Sequence, residues 1–354
     1  MIKISLHLQS AGRTRPDAYL KAQARAYWQT LNPVNAGIYD PKALISLVSK
    51  YRDQAGSLDP GYVRDHANGD LFIALVHQDL FDDLLARSAR LLKKIIMSDP
   101  AGLNAIKDHI KSRFPDAIFF TLDGKRKVQT DFGRLLSETV FNYRKFRSSR
   151  FCLQYLKNLS FAEVYCPYCG YNPVELVGVT PPRTGGHDQK ALLDLDHFFS
   201  KAEFPYLAIS LFNLIPCCHT CNSTYKLTKE FGFGTHVHPY AESFDEHFSF
   251  SLRKTSQGPR VAISAVGPSA KMQSVTDLGL KERYEAKAKL IRLETDYRKR
   301  KRYRKPAAIQ GFVDFMLKDV PRTKSEIFTE CLGKAKRDIL RSIDADNLLR
   351  PYIK

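Results

Sequence analysis

Four of the chain's seven cysteines stand in two Cys-x-x-Cys pairs, Cys166-Pro-Tyr-Cys169 and Cys218-His-Thr-Cys221. Thiolates presented from two tight turns are the donor set of tetrahedral zinc. A single pair could equally be a redox dithiol. The opening Met-Ile-Lys-Ile-Ser-Leu-His has no apolar run long enough for a secretory signal. Two pairs in such a chain predict structural Zn²⁺ and argue against a disulfide framework. The stretch from Gly170 to Cys217 exceeds the roughly 15–20 residues of a simple zinc ribbon, so a folded insert is expected between the pairs. Cys152 and Cys331 fall on predicted helices and read as small buried hydrophobes, and Cys217 lacks the spacing to Cys221. His219 and His187 are the nitrogen donors that could replace a sulfur.

The insert carries a second kind of chemistry. In Leu193-Asp194-Leu195-Asp196-His197, apolar and acidic residues alternate, which on a strand sets both carboxylates on one face. A carboxylate beside an imidazole offers an oxygen to a hard cation and a base for water. Phe212-Asn213-Leu214-Ile215-Pro216 predicts a second strand, and Thr220 to Lys226 a helix that opens on the second cysteine pair.

Taken in order, Asp196-His197, Asn213-Leu214-Ile215-Pro216, Cys218-x-x-Cys221-Asn222 and Lys226 resemble the HNH endonuclease motif. The form they resemble is the one whose ββα-metal finger is braced by a four-cysteine zinc site. Each element alone is a weak signal, but the ordered set is specific. It covers only Cys166 to about Lys226, a minor part of the chain. The resemblance implies that His197 is the general base that deprotonates water. Asp196 and Asn222 would hold one Mg²⁺ or Mn²⁺, and Asn213 would hydrogen-bond the loop that orients His197. Lys226 would touch a phosphate or simply end a helix face. Asp194 is either a carboxylate behind the metal ligands or a solvated strand residue. Downstream, His238-Pro239-Tyr240 and Leu278-Gly279-Leu280-Lys281-Glu282-Arg283-Tyr284 are similar to segments of HNH proteins associated with bacterial retron and Septu-like defence systems. His238 would then assist metal or phosphate binding, or be a turn histidine. That similarity implies a cytoplasmic anti-phage effector acting on DNA, with a partner ATPase or other defence subunit.

Charge points to the same class of partner. Lys and Arg number 55 against 37 Asp and Glu, a formal +18, which favours a polyanion, with nucleic acid ahead of an anionic membrane surface. No stretch approaches the roughly 18 apolar residues of a membrane span. Arg298, Lys299, Arg300, Lys301, Arg302, Arg304 and Lys305 crowd one short run, which reads as a phosphate-tracking segment or a solvated face. Tyr143-Arg144-Lys145-Phe146-Arg147 mixes cations with aromatics and would either stack on bases or bury its rings in the core.

The elements that must position these groups follow from periodicity. A helix is predicted after Asp40-Pro41, with Leu44, Leu47, Val48 and Tyr51 on one face. Others are predicted over Asp79 to Met97, stopped by Asp99-Pro100, and over about Asp131 to Leu159. Hairpins are predicted around Asp123-Gly124, and where Phe248, Phe250 and Leu252 alternate ahead of Val261 and Ile263. From about Asp277 the pattern is helical, broken at Pro306 and Pro321. The expected class is α+β: a helical region over 1–160, an HNH finger with its zinc site over 161–240, and a hairpin with basic helices over 241–354. A non-catalytic zinc-stabilised nucleic-acid-binding module, or a nuclease subunit silent without its partner, is the alternative.

Overall fold

The computed structural model describes residues 3–161, 163–178, 189–301 and 308–353. The chain opens with helices α1 (Ile4–Ser10), α2 (Pro16–Leu31), α3 (Leu44–Gly56), α4 (Pro60–His66), α5 (Leu71–Met97) and α6 (Pro100–Arg113), with a short ladder of β1 (Val34–Asn35) and β2 (Ile38–Tyr39) after α2. Asp59, Asp70 and Asp99 cap α4, α5 and α6 by accepting from backbone N–H groups of their first turns, where a carboxylate also meets the positive end of the helix dipole. The face predicted for α3 packs inward through Leu44 and Val48. That helix starts later than predicted, because Asp40 spends its carboxylate on the Lys42 N–H, 2.7 Å away, in a turn. The pattern seen from Asp79 belongs to the longer α5, which is interrupted at Ala86–Ala89. Arg87, Ser88 and Ala89 have φ of +52°, +58° and +59° there.

The predicted hairpin around Gly124 is present as β3 (Phe120–Asp123) and β4 (Arg126–Gln129), with Gly124 at φ +58° in the turn. The single helix predicted over Asp131 to Leu159 is instead α7 (Asp131–Arg134), a π-turn over Leu135–Val140, α8 (Tyr143–Arg147) and α9 (Arg150–Asn158). Asn142 and Ser149 break it by capping α8 and α9 with their side chains, the competition with helix that such residues offer.

Two sheets follow. One is β5 (Glu163–Tyr165), β6 (Pro173–Gly178) and β7 (Gln189–Leu192), and the other is the antiparallel pair β8 (Asp194–His197) and β9 (Leu214–Cys217). A helical turn over Cys221–Lys226 comes next. The hairpin of β10 (Phe248–Thr255) and β11 (Gly258–Ala265) is as predicted. It leads to α10 (Gln273–Asp277), α11 (Leu280–Glu285), α12 (Ala288–Lys301), α13 (Ile309–Met316) and α14 (Gly333–Ile343). Pro321 lies between α13 and α14, and Pro306 is outside the described residues.

The class is thus mixed helix and sheet. One buried cluster joins Leu80 and Leu156 to Leu195, Phe198 and Ile215 and on to Phe250, Leu280 and Ile339, so β8 and β9 are backed by apolar side chains from both flanks. Among the described residues, no helix is long and apolar enough to cross a membrane.

Candidate functional site

The sulfur atoms of Cys166, Cys169, Cys218 and Cys221 all lie within 4.8 Å of one another, and all four residues are buried. Sγ of Cys169 and Cys218 are 3.9 Å apart, close to the edge of about 3.8 Å that a tetrahedron with Zn–S bonds of ~2.3 Å requires. Donors converge on these sulfurs. The Cys218 N–H reaches Cys166 Sγ at 3.3 Å, the Asn172 amide reaches Cys218 Sγ at 3.4 Å, and Arg283 reaches Cys221 Sγ at 3.3 Å. N–H groups aimed at sulfur stabilise thiolate, and this donor set fits a tetrahedral soft ion. Burial opposes the charge of Arg283, but the sulfurs of Cys169 and Cys221 outweigh it and raise its pKa. Hydrogen bonding from Cys166 draws Cys218 down to about 7. The two histidines are not in the cluster: exposed His219 bonds Asp194 instead, and His187 is outside the described residues.

The run Leu278–Tyr284 braces this centre, a role that no local pattern announces. Gly279 has φ +56°, and a Cβ there would lie 2.3 Å from the Tyr225 ring. Arg283 stacks on the same ring at 4.7 Å, and the Tyr284 hydroxyl donates to the Cys169 carbonyl.

In the β8–β9 pair, Asp194 faces Cys217, Asp196 faces Ile215 and His197 faces Leu214. Nε2 of His197 is 2.9 Å from the Ala208 carbonyl oxygen. A carbonyl only accepts, so Nε2 carries the proton and Nδ1 is left as the acceptor. Burial lowers the His197 pKa to about 4, the Ala208 bond opposing and the Lys201 charge adding. The ring is therefore neutral at pH 7. Asn213 is fully buried and ties the loop between the strands. It accepts from the Phe199 N–H at 2.8 Å and donates to the Phe199 and Leu207 carbonyls at 3.0 and 3.1 Å. Leu207 precedes the residue that holds His197, so Asn213 fixes the orientation of the ring through one peptide unit. Helix α8 clamps the other side. Tyr143 donates to the Leu195 carbonyl and packs its ring 4.6 Å from that of His197, while Arg147 donates to the Leu193 carbonyl. The aromatic and basic run at 143–147 thus braces β8, with Phe146 in the core.

Asp196 is placed differently from a free metal ligand. It is 4% exposed, and both carboxylate oxygens are taken, by Lys226 Nζ at 2.7 and 2.8 Å and by the Tyr168 hydroxyl at 2.7 Å. Lys226, expected at a phosphate or on a helix face, is buried and also donates to the carbonyls of His197 and Phe198. The turn over Cys221–Lys226 folds its stem beneath β8, and a buried ammonium requires a counter-charge. Asp194 is the carboxylate that meets Asn222, whose amide is 2.9 Å away, and His219, whose Nδ1 is 3.0 Å away.

Asp196, His197 and Asn222 line a cavity of about 400 Å³ together with Tyr143 and a set of cations. Sequence reasoning missed the cations Lys125, Arg126, Lys127 and Lys201, although the Lys-Arg-Lys triplet after Asp123-Gly124 was a signal. A larger cavity of about 740 Å³ between α5 and α6 holds none of the motif residues.

His238 lies behind the strands, not in the cavity. Its ring is 4.1 Å from Phe198, Nδ1 accepts from the Tyr240 N–H, Nε2 has no partner among the described residues, and burial lowers its pKa to about 3. The basic run at the end of α12 is not brought to the cavity either. Arg298 pairs with Glu294, Lys301 with Asp346, and Arg300 stacks on Phe315. Lys299 is exposed beside them, and Arg302, Arg304 and Lys305 are outside the described residues. Compared with known protein families, curated proteins and solved structures, the chain matches none.

Proposed function

We propose that the protein is a metal-dependent HNH-type endonuclease that hydrolyses phosphodiester bonds in DNA. The observation that carries this reading is His197: neutral, with Nε2 committed to Ala208 and Nδ1 left to accept a proton, at a cation-lined cavity. Nδ1 would take the proton of the attacking water. The peptide at Ala208, held through Asn213, would keep the ring from turning as that proton arrives. Tyr143 packs against the ring and limits the same rotation. The four cysteines would hold structural Zn²⁺, whose full sulfur coordination leaves no position for chemistry.

A divalent Mg²⁺ or Mn²⁺ would neutralise charge on the scissile phosphate and its leaving oxygen. The Asn222 amide oxygen would be one donor to such a cation, its Nδ2 being held by Asp194 Oδ2 at 2.9 Å, and the Asp196 carboxylate, which lines the same cavity, would be the other. Lys226 and Tyr168 hydrogen-bond the Asp196 carboxylate, so a cation held there would share it with the buried ammonium or displace it. That ion pair favours a second reading, a nuclease subunit silent until a partner or bound nucleic acid draws Lys226 away. An anti-phage role with a partner ATPase or other defence subunit belongs to this reading, through the resemblance at 238–240 and 278–284.

The test is cleavage of plasmid and single-stranded DNA by purified protein in Mg²⁺, Mn²⁺ or EDTA, beside His197→Ala. Metal-dependent cutting that is lost in the variant supports the mechanism. Equal cutting by His197→Ala refutes it. Salt-sensitive binding with no cutting under any metal leaves the silent subunit and the zinc module, which differ in whether a co-purifying partner restores cleavage.

A further inference from the structure

We propose that the β3–β4 hairpin is a duplex-DNA grip, with Lys125 and Arg126 at its tip holding backbone phosphates beside the one presented to His197. The proposal rests on the nuclease reading and names a contact surface that the motif does not contain.

The hairpin comes from the helical region, more than a strand and a helix away in sequence, yet its cations line the same cavity as His197. Its stem and its tip treat charge in opposite ways. In the stem, Lys127 is paired with both Glu203 and Glu230 at 2.5 Å, and Glu203 is paired again with Lys111 at 2.6 Å. The Gln129 amide donates to the Lys201 carbonyl at 2.7 Å, which ties β4 to the loop that follows β8. At the tip, Lys125 and Arg126 are exposed, and no carboxylate among the described residues pairs with either. A ribbon that neutralises its internal cation and leaves its end cations bare, on a rigid mount at the mouth of the cavity, is built to meet an external anion.

The form of the ribbon selects among nucleic acids. A two-stranded β-ribbon matches the ~12 Å major groove of duplex DNA. Grips on single strands rely on aromatic faces for stacking. The one aromatic of the hairpin, Phe120, is buried with Lys127 over its ring at 5.0 Å. Leu122, 68% exposed, is the apolar group available for contact with base edges or sugars.

The experiment is fluorescence anisotropy with a 5′-labelled duplex and the matching single strand across a NaCl series. It uses zinc-loaded full-length His197→Ala as the non-cutting parent. Lys125→Ala/Arg126→Ala is made in that background, with Arg253→Ala/Lys254→Ala on exposed β10 positions as the equal-charge control. Loss of two phosphate contacts lowers the slope of log K against log salt by about 1.8 and weakens duplex binding by about 10- to 100-fold at 0.1 M salt. The control pair should leave the slope unchanged. An unchanged slope in the tip variant, an equal fall in the control, or an equal loss on the single strand would each overturn the proposal. Wild-type cleavage is run alongside: cutting with an unchanged slope removes the hairpin role alone, and no cutting of any DNA with Mg²⁺ or Mn²⁺, with or without a co-purifying partner, removes the nuclease reading beneath it.

Discussion

Replacing Lys226 with Met tests whether the buried ion pair organises the site. Met keeps most of the stem volume and removes the ammonium. Asp196 is then left 4% exposed with only the Tyr168 hydroxyl as partner, and the carbonyls of His197 and Phe198 lose a donor. Breaking a buried pair by deleting one member costs about 3–5 kcal/mol. Asp196→Asn/Lys226→Met removes the orphaned charge while keeping an acceptor for Tyr168, and should recover all but about 1–2 kcal/mol, because a buried pair can be exchanged for neutral groups at little cost. The assay is urea unfolding at fixed free zinc, followed by circular dichroism and by the fluorescence of the single tryptophan, Trp28. A cost below about 1 kcal/mol for Lys226→Met, or a double variant as unstable as the single, would refute the reasoning. The same protein separates the two functional readings: if the pair holds the enzyme silent, Lys226→Met cuts faster per folded molecule than wild type.

Zinc removal by chelation, or Cys169→Ser, should lower the thermal midpoint and loosen β8, β9 and the turn that follows; an unchanged midpoint after metal analysis shows no zinc would contradict the structural assignment. Asn213→Ala removes three buried hydrogen bonds and should cost about 2–4 kcal/mol. It should also lower kcat more than it changes KM, which steady-state kinetics on folded protein would show. Burial holds His77 and His238 down to about 3 and His197 to about 4. Each is neutral in the native state but takes a proton in the unfolded chain below its ordinary 6.5, so their contribution is complete above pH 6.5 and is lost as pH falls toward 4. At about 1.4 kcal/mol per pH unit each, the three together make stability fall by roughly 4 kcal/mol per unit well below pH 6.5. Urea midpoints from pH 7.5 to 5 check this, and a flat profile would contradict it. The kcat/KM of folded protein should correspondingly show no acid limb between pH 7.5 and the onset of acid unfolding, where a limb at 6.5 would mean that a solvated histidine is the base.

The parts of the site that local pattern encodes were legible. The alternation at 193–197 and the apolar triplet after Asn213 identified β8 and β9, and the two cysteine pairs identified the cluster. Asp-Pro was a less faithful signal: it opens a helix at Asp59 and at Asp99, where only the stop of the preceding helix was predicted, and a turn at Asp40, where a helix start was predicted, since the same side chain caps whichever N–H the backbone offers. Pairings across sequence distance were not legible. Nothing around Lys226 states that it will reach back to Asp196, and nothing in the triplet at 125–127 states that a hairpin from the helical region will line one cavity with His197. The break in α5 was invisible for a different reason: no glycine or proline marks it, and the left-handed residues are Arg, Ser and Ala.

The two cysteine pairs lie on either side of β8 and β9 in the chain, and this has a topological consequence. An ion that joins them closes the chain between Cys169 and Cys218 into a ring, with His197 carried inside it. A single protease nick within the ring leaves both new ends tethered, so the fragments should travel together on a gel-filtration column and part only when the ion is chelated. Ring size is also nearly free to vary, because each doubling of a closed loop costs only about 0.6 kcal/mol. A segment much longer than a ribbon needs can therefore be threaded between the knuckles at little cost, which leaves the length of the insert to be set by the strands and loop it carries.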